Sequence, residues 1–271
     1  MKFRMPIVTL LLAVMLSAVL PAAVTEAAVN TLSATAQKQF DKTKAALASA
    51  DAVKLQASYQ SFVQQQNTIT ERDTKIKSAS KINDDKESEL RQKIRVIDKT
   101  KLDGLERKVT QLKNAYQPLF NQYDAAKATL KAARKYGIKE LTAAVQLKVD
   151  LLEISVKNAK EEIRAAQNAL SSAKAAANDK MKRLRSQLDA ITAEEKRISV
   201  EKAAISQLNK QKSQEWSDLL YALRTYNGKT SLRSLTALNN VVKQINDRQV
   251  KIEGYEKKIA EVNRTVSNQM S

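Results

Sequence analysis

From Val149 to Ala177 the apolar residues fall at alternating steps of three and four: Val149, Leu152, Val156, Ala159, Ile163, Ala166, Leu170, Ala173 and Ala177. Four unbroken heptads of this kind are kept by helices that wind against other helices. Alanine at 159, 166 and 173 predicts close approach of a partner helix. The next step, Ala177 to Met181, is four where three is due, and the seam then resumes through Leu184, Leu188, Ile191 and Ile198. Such an insertion is a stutter within a continuous helix, the alternative being a turn at Asn178-Asp179.

Two further seams follow the same rule. Leu105, Val109, Leu112, Tyr116, Leu119, Tyr123, Ala126, Leu130 and Ala133 pass Pro118 without losing phase. A reversal there would reset the phase, so a kinked helix is predicted, lacking one backbone bond to the Asn114 carbonyl. The last seam runs from Leu235 to Met270 and carries Gln249, Glu256 and Asn263 as polar intrusions seven residues apart. Buried polar seam residues fix register or oligomeric state, which leaves a homo-oligomer open. A helix less buried toward its end is the simpler reading.

Breakers are few. Beyond residue 21 there is one proline, Pro118, and the glycines are Gly104, Gly137, Gly228 and Gly254. Good helix formers fill the rest, and no stretch alternates as a half-buried strand does. The expected fold is all-α: an elongated antiparallel bundle or coiled coil of about four long helices, near 30–81, 85–136, 138–226 and 230–268, the third open to division, with the polar stretch 209–215 a weaker reversal candidate. Reversals are expected at Ile82–Asp85, where Asn83 or Asp84 would cap a helix, at Gly137, and at Asn227-Gly228. The window 141–156, "LTAAVQLKVDLLEISV", reads as a buried helix face, since Lys148, Asp150 and Glu153 interrupt it.

Residues 1–27 have the layout of a secretory signal peptide: Lys2 and Arg4, an apolar run from Ile7 to Leu20, then small residues. Cleavage after Ala27 or Ala28 leaves one elongated helical region, 28–271, with no membrane-spanning segment. The remaining chain keeps 45 basic and 28 acidic residues of the original 47 and 29. That surplus favours anionic partners, and export argues against nucleic acid. The excess is spread along the chain, as on solvated helix faces.

Histidine and cysteine are both absent. This excludes Ser-His-Asp and Cys-His nucleophiles and the common zinc sites. The acid pairs Asp84-Asp85, Glu161-Glu162 and Glu194-Glu195 fall on helix surfaces, where acids pair with lysines one turn away. No motif calls for a cofactor or metal, and no enzyme is expected.

Two candidate sites remain. Between Ala125 and Lys139 the chain has no acid but carries Lys127, Lys131, Arg134, Lys135 and Lys139, beside Tyr116 and Tyr123. Flanking the seam, these cations would contact an anionic or sugar-bearing polymer, or else cover apolar surface with their stems. Trp216 and Tyr221 form the second, an aromatic docking pair or, at helical spacing with Leu219, Leu220 and Leu223, a core cluster.

The plan of a signal peptide followed by long basic helices looks like the helical wall-binding regions of some surface-layer proteins. It is also similar to the coiled-coil parts of exported cell-wall hydrolase regulators. Both imply a scaffold or adaptor of the bacterial envelope that binds an anionic cell-wall polymer or another helical protein. A holdase chaperone with helical arms is the alternative. A helical pore-forming toxin ranks below it, because no long apolar hairpin is present.

Overall fold

The computed structural model describes residues 29–270, so the predicted signal peptide lies outside the described residues. Six α-helices follow one another: α1 Ala34–Ala45, α2 Ser49–Arg95, α3 Lys99–Lys135, α4 Lys139–Leu188, α5 Ile191–Arg224 and α6 Gly228–Met270. No strand occurs among the described residues. The helices form an elongated all-α bundle.

Cross-helix pairs fix the topology. Glu106 with Lys174, Tyr116 with Glu162, and Arg134 with Gln146 join α3 to α4. Arg91 with Asp189, and Phe62 with Trp216, extend the same register into α2 and α5. The residue numbers of every such pair add to 278–280, so α2–α3 and α4–α5 are two bent rods running antiparallel from end to end. At about 1.5 Å per residue each rod is roughly 130 Å long. Against α2, by contrast, α6 is parallel: its partners differ from it in number by 173 to 181.

Helix α6 packs on α2 and α5 while α3 packs on α4, so the described residues fall into two parts. A body of α2, α5 and α6, with α1 laid on α5 and α2, holds the large apolar clusters. One is built on Phe40, Leu55, Phe62, Leu219, Leu223 and Leu235, the other on Leu90, Ile94, Leu184, Leu188, Ile252 and Ile259. Beyond it α3 and α4 continue alone as a two-helix arm. The 37 residues of α3 give the arm a reach of about 55 Å.

The seams predicted at 105–133 and 149–177 are the faces that α3 and α4 present to each other, every position buried or half-buried. Helix α3 runs through Pro118 and α4 through Asn178-Asp179. Both ends of the α4–α5 rod turn sharply. Gly137, at φ 72°, closes α3 in a Schellman motif, with Ile138 N–H donating to the Ala133 carbonyl (3.2 Å) and Gly137 N–H to that of Arg134 (3.4 Å). The second turn uses the same bonds, Asn227 N–H to Ala222 (2.9 Å) and Tyr226 N–H to Leu223 (3.1 Å). Here the left-handed position is Tyr226, at φ 54°, rather than the glycine. Asn227 Oδ1 then caps α6 by accepting from Thr230 N–H (3.0 Å). Gly228 serves packing: a Cβ there would lie 2.5 Å from Leu47 Cδ2.

Three expectations need correction. The chain does not reverse at Ile82–Asp85, because Asn83 is a buried seam residue bonded to α6. The rods instead bend at Val96–Asp98 and at Asp189–Ala190, within about two turns of each other where α6 runs out. Asp98 is left-handed (φ 56°). The helix expected over 30–81 is divided at Ala46–Ala48, which lets α1 fold back onto α5. Finally, the polar seam residues of α6 are not a fraying end: Gln249, Glu256 and Asn263 are all buried. Asn83 Nδ2 donates to the Glu256 carbonyl (2.9 Å) and carboxylate (2.7 Å), Asn263 Nδ2 to the Asn83 carbonyl (3.1 Å), and Gln249 Nε2 to the Ile69 carbonyl (3.1 Å). Repeated each heptad, these bonds select one parallel register for α2 and α6.

Candidate site at the end of the arm

The hairpin that joins α3 to α4 places all five predicted cations on the outer third of the arm, and all five are exposed. Lys127 Nζ sits 5.1 Å from the centre of the Tyr123 ring, and Lys135 Nζ 5.8 Å from that of Tyr136. Arg134 Nη2 donates to Gln146 Oε1 (2.6 Å), whose Nε2 donates in turn to Asp150 Oδ1 (2.6 Å). Lys131 points to solvent. Lys139 is the first residue of α4, where the helix dipole repels a cation and leaves it available to an external anion.

The acid-free run in sequence is less pure in space. Over residues 116–164, nine basic side chains face six acidic ones. Beside Tyr123, a shallow groove of about 310 Å³ is lined by Lys157, Lys160 and Arg164 but also by Glu153 and Glu161. Toward the tip the acids thin out, and Glu140, in the first turn of α4, is the one acid from Ala125 to Val149. The cationic field is therefore strongest at the hairpin itself.

The aromatic candidates separate. Tyr123 is half-buried against Ala126, Leu130 and Val149. Tyr116 donates to the Glu162 carboxylate, and that bond, with partial desolvation, holds its phenol above the usual tyrosine range. Both belong to the seam first. Trp216 stacks on Phe62 at 5.6 Å inside the body, whereas Tyr221 is exposed. Five residues along a helix is a rotation of about 500°, so Trp216 and Tyr221 lie on different faces of α5.

Apolar residues on this arm were missed by the sequence reading. Of the window 141–156, Val149 and Val156 are buried against α3, but Leu147, Leu151 and Ile154 are 61–63% exposed on the opposite side of α4. Tyr136, 73% exposed, Ile138 and Leu141 stand out at the hairpin. Among the described residues no group of side chains is placed to hold a metal ion, and no helix is long and apolar enough to cross a membrane.

Comparison with known proteins finds no matching family, no matching curated protein and no matching solved structure.

Proposed function

We propose that this chain is an exported, non-enzymatic adaptor of the bacterial cell envelope, in which the body is a handle and the arm holds its cationic end against an anionic envelope surface. The observation that carries this is the placement of Lys127, Lys131, Arg134, Lys135 and Lys139 around a hairpin about 55 Å from the body. Charge at the end of a rod is accessible to a large, immobile anion without steric cost to the body. Phosphate and carboxylate groups are the chemistry such a cluster meets, whether on a wall polymer or on headgroups.

The test is sedimentation with purified envelope fractions across a salt series, wild type against Lys131→Gln/Arg134→Gln/Lys135→Gln. Binding should fall steeply with salt and drop about tenfold or more in the triple variant. Equal binding by the two proteins would remove the arm's end from the contact.

A second reading is a holdase that clasps unfolded exported clients. It is favoured by the exposed Leu147, Leu151 and Ile154, which offer apolar surface for unfolded chains. Suppression of client aggregation that is lost in Leu147→Ser/Leu151→Ser, and indifferent to salt, would support it over the adaptor.

A further inference from the structure

Cations alone would satisfy an anionic polymer, but the arm's end is also apolar. Of the fourteen large hydrophobic side chains exposed among the described residues, six lie between Tyr136 and Ile154. The other eight are scattered singly, as on any protein surface. Three of the six, Tyr136, Ile138 and Leu141, cap the hairpin, and Leu147, Leu151 and Ile154 continue along the outer face of α4. A solvated polysaccharide or polyphosphate gives no reason to concentrate aliphatic side chains where its charges land.

We propose that the hairpin is a docking tip for an anionic lipid layer. This rests on the reading that the arm's end meets an anionic envelope surface, and it names that surface. A lipid interface uses both halves of the feature at once. Headgroup phosphates attract Lys127, Lys131, Arg134, Lys135 and Lys139, all exposed around the hairpin. The Tyr136 ring suits the headgroup level, and Ile138 and Leu141 suit the acyl boundary just below it. Long lysine and arginine stems let the cations stay with the phosphates while the hairpin enters. Contact is interfacial, in keeping with helices that are not apolar enough to span. An oblique approach adds Leu147, Leu151 and Ile154 to the buried surface.

The test uses a chain beginning at Ala28, since the apolar run before it would itself seek lipid, and this chain keeps every described helix. It is mixed with vesicles of phosphatidylcholine containing none or about 30 mol % phosphatidylglycerol. Wild type should sediment with the anionic vesicles and not with the neutral ones. Tyr136→Ser/Ile138→Ser should bind them about tenfold more weakly, with unchanged helix content. The absence of cysteine permits a second readout. An environment-sensitive dye on Tyr136→Cys should shift to the blue on anionic vesicles, and the same dye on Ser172→Cys, far down the arm, should not.

If Tyr136→Ser/Ile138→Ser binds as wild type and the dye stays in water, the lipid assignment is overturned. Loss of binding to envelope fractions in the triple cation variant would then still support an anionic polymer as the partner. If the triple variant also binds those fractions as wild type, the adaptor reading falls with it.

Discussion

Asn83 and Glu256 offer the sharpest test of how the body is held together. Glu256 is 3% exposed, and its carboxylate takes a 2.7 Å bond from Asn83 Nδ2, which also reaches the Glu256 carbonyl. Asn83→Ala removes both bonds and strands a buried acid. A hydrogen bond to a charged group contributes about 1.5–3 kcal/mol, and breaking a buried charge's partnership costs about 3–5 kcal/mol. Asn83 and Glu256 border a groove of about 580 Å³ between α2 and α6 that admits water, which places the cost at the lower end. The expected loss is about 2–3 kcal/mol. Glu256→Ala removes only the bond to the carboxylate and leaves Asn83 Nδ2 its bond to the backbone carbonyl of residue 256, so it should cost less, about 1 kcal/mol. The double variant should then lose clearly less than the sum, with a coupling of at least about 1 kcal/mol. Urea unfolding followed by far-ultraviolet circular dichroism measures all four corners at one pH. Strict additivity, or a change within about 0.5 kcal/mol for Asn83→Ala, would refute the assignment of this pair as the register-setting contact. Gln249 is the internal contrast. Its Oε1 is buried without a partner among the described residues, so Gln249→Leu should be neutral or stabilise by about 1 kcal/mol.

Three other substitutions probe particular positions. Gly228→Ala puts a Cβ 2.5 Å from Leu47 Cδ2 and should lower stability by about 1–3 kcal/mol; adding Leu47→Ala should relieve that clash, read by a double-mutant cycle. Tyr226→Gly relieves a left-handed backbone and should raise stability by about 1 kcal/mol in thermal unfolding. Lys212 is nearly buried with no partner among the described residues, and desolvation holds its ammonium below the ordinary lysine value of 10.5. The folded chain therefore binds fewer protons than the unfolded one between those two values, so the penalty is full at neutral pH and fades as pH rises toward 10.5. Lys212→Met should stabilise by about 1–2 kcal/mol at pH 7 and progressively less in alkaline buffer.

What could be read from the sequence depended on how many neighbours each helix has. In the arm each helix has one partner, so one seam per helix is the whole packing code, and 105–133 and 149–177 were legible position by position. In the body α6 serves two partners, and its α2-facing stripe is partly polar. Asn83 then resembled a helix cap, although its side chain faces α6. The bend at Asp98 carries no glycine or proline, and the break before α2 lies in a run of small residues. Neither leaves a local signal. The five cations were visible as a charge run, but the exposed leucines beside them were not. A heptad pattern shows that a face is apolar and cannot show whether a further helix covers it.

The bends at Val96–Asp98 and Asp189–Ala190 have a mechanical consequence. Both rods change direction at nearly the same level, which is also the level reached by the last described residues of α6. A stiff lever about 55 Å long pivoting at that level moves its end by roughly 20 Å for a deflection of about 20°. The body can then stay fixed while the tip sweeps an area, and a target need not be in register with the handle.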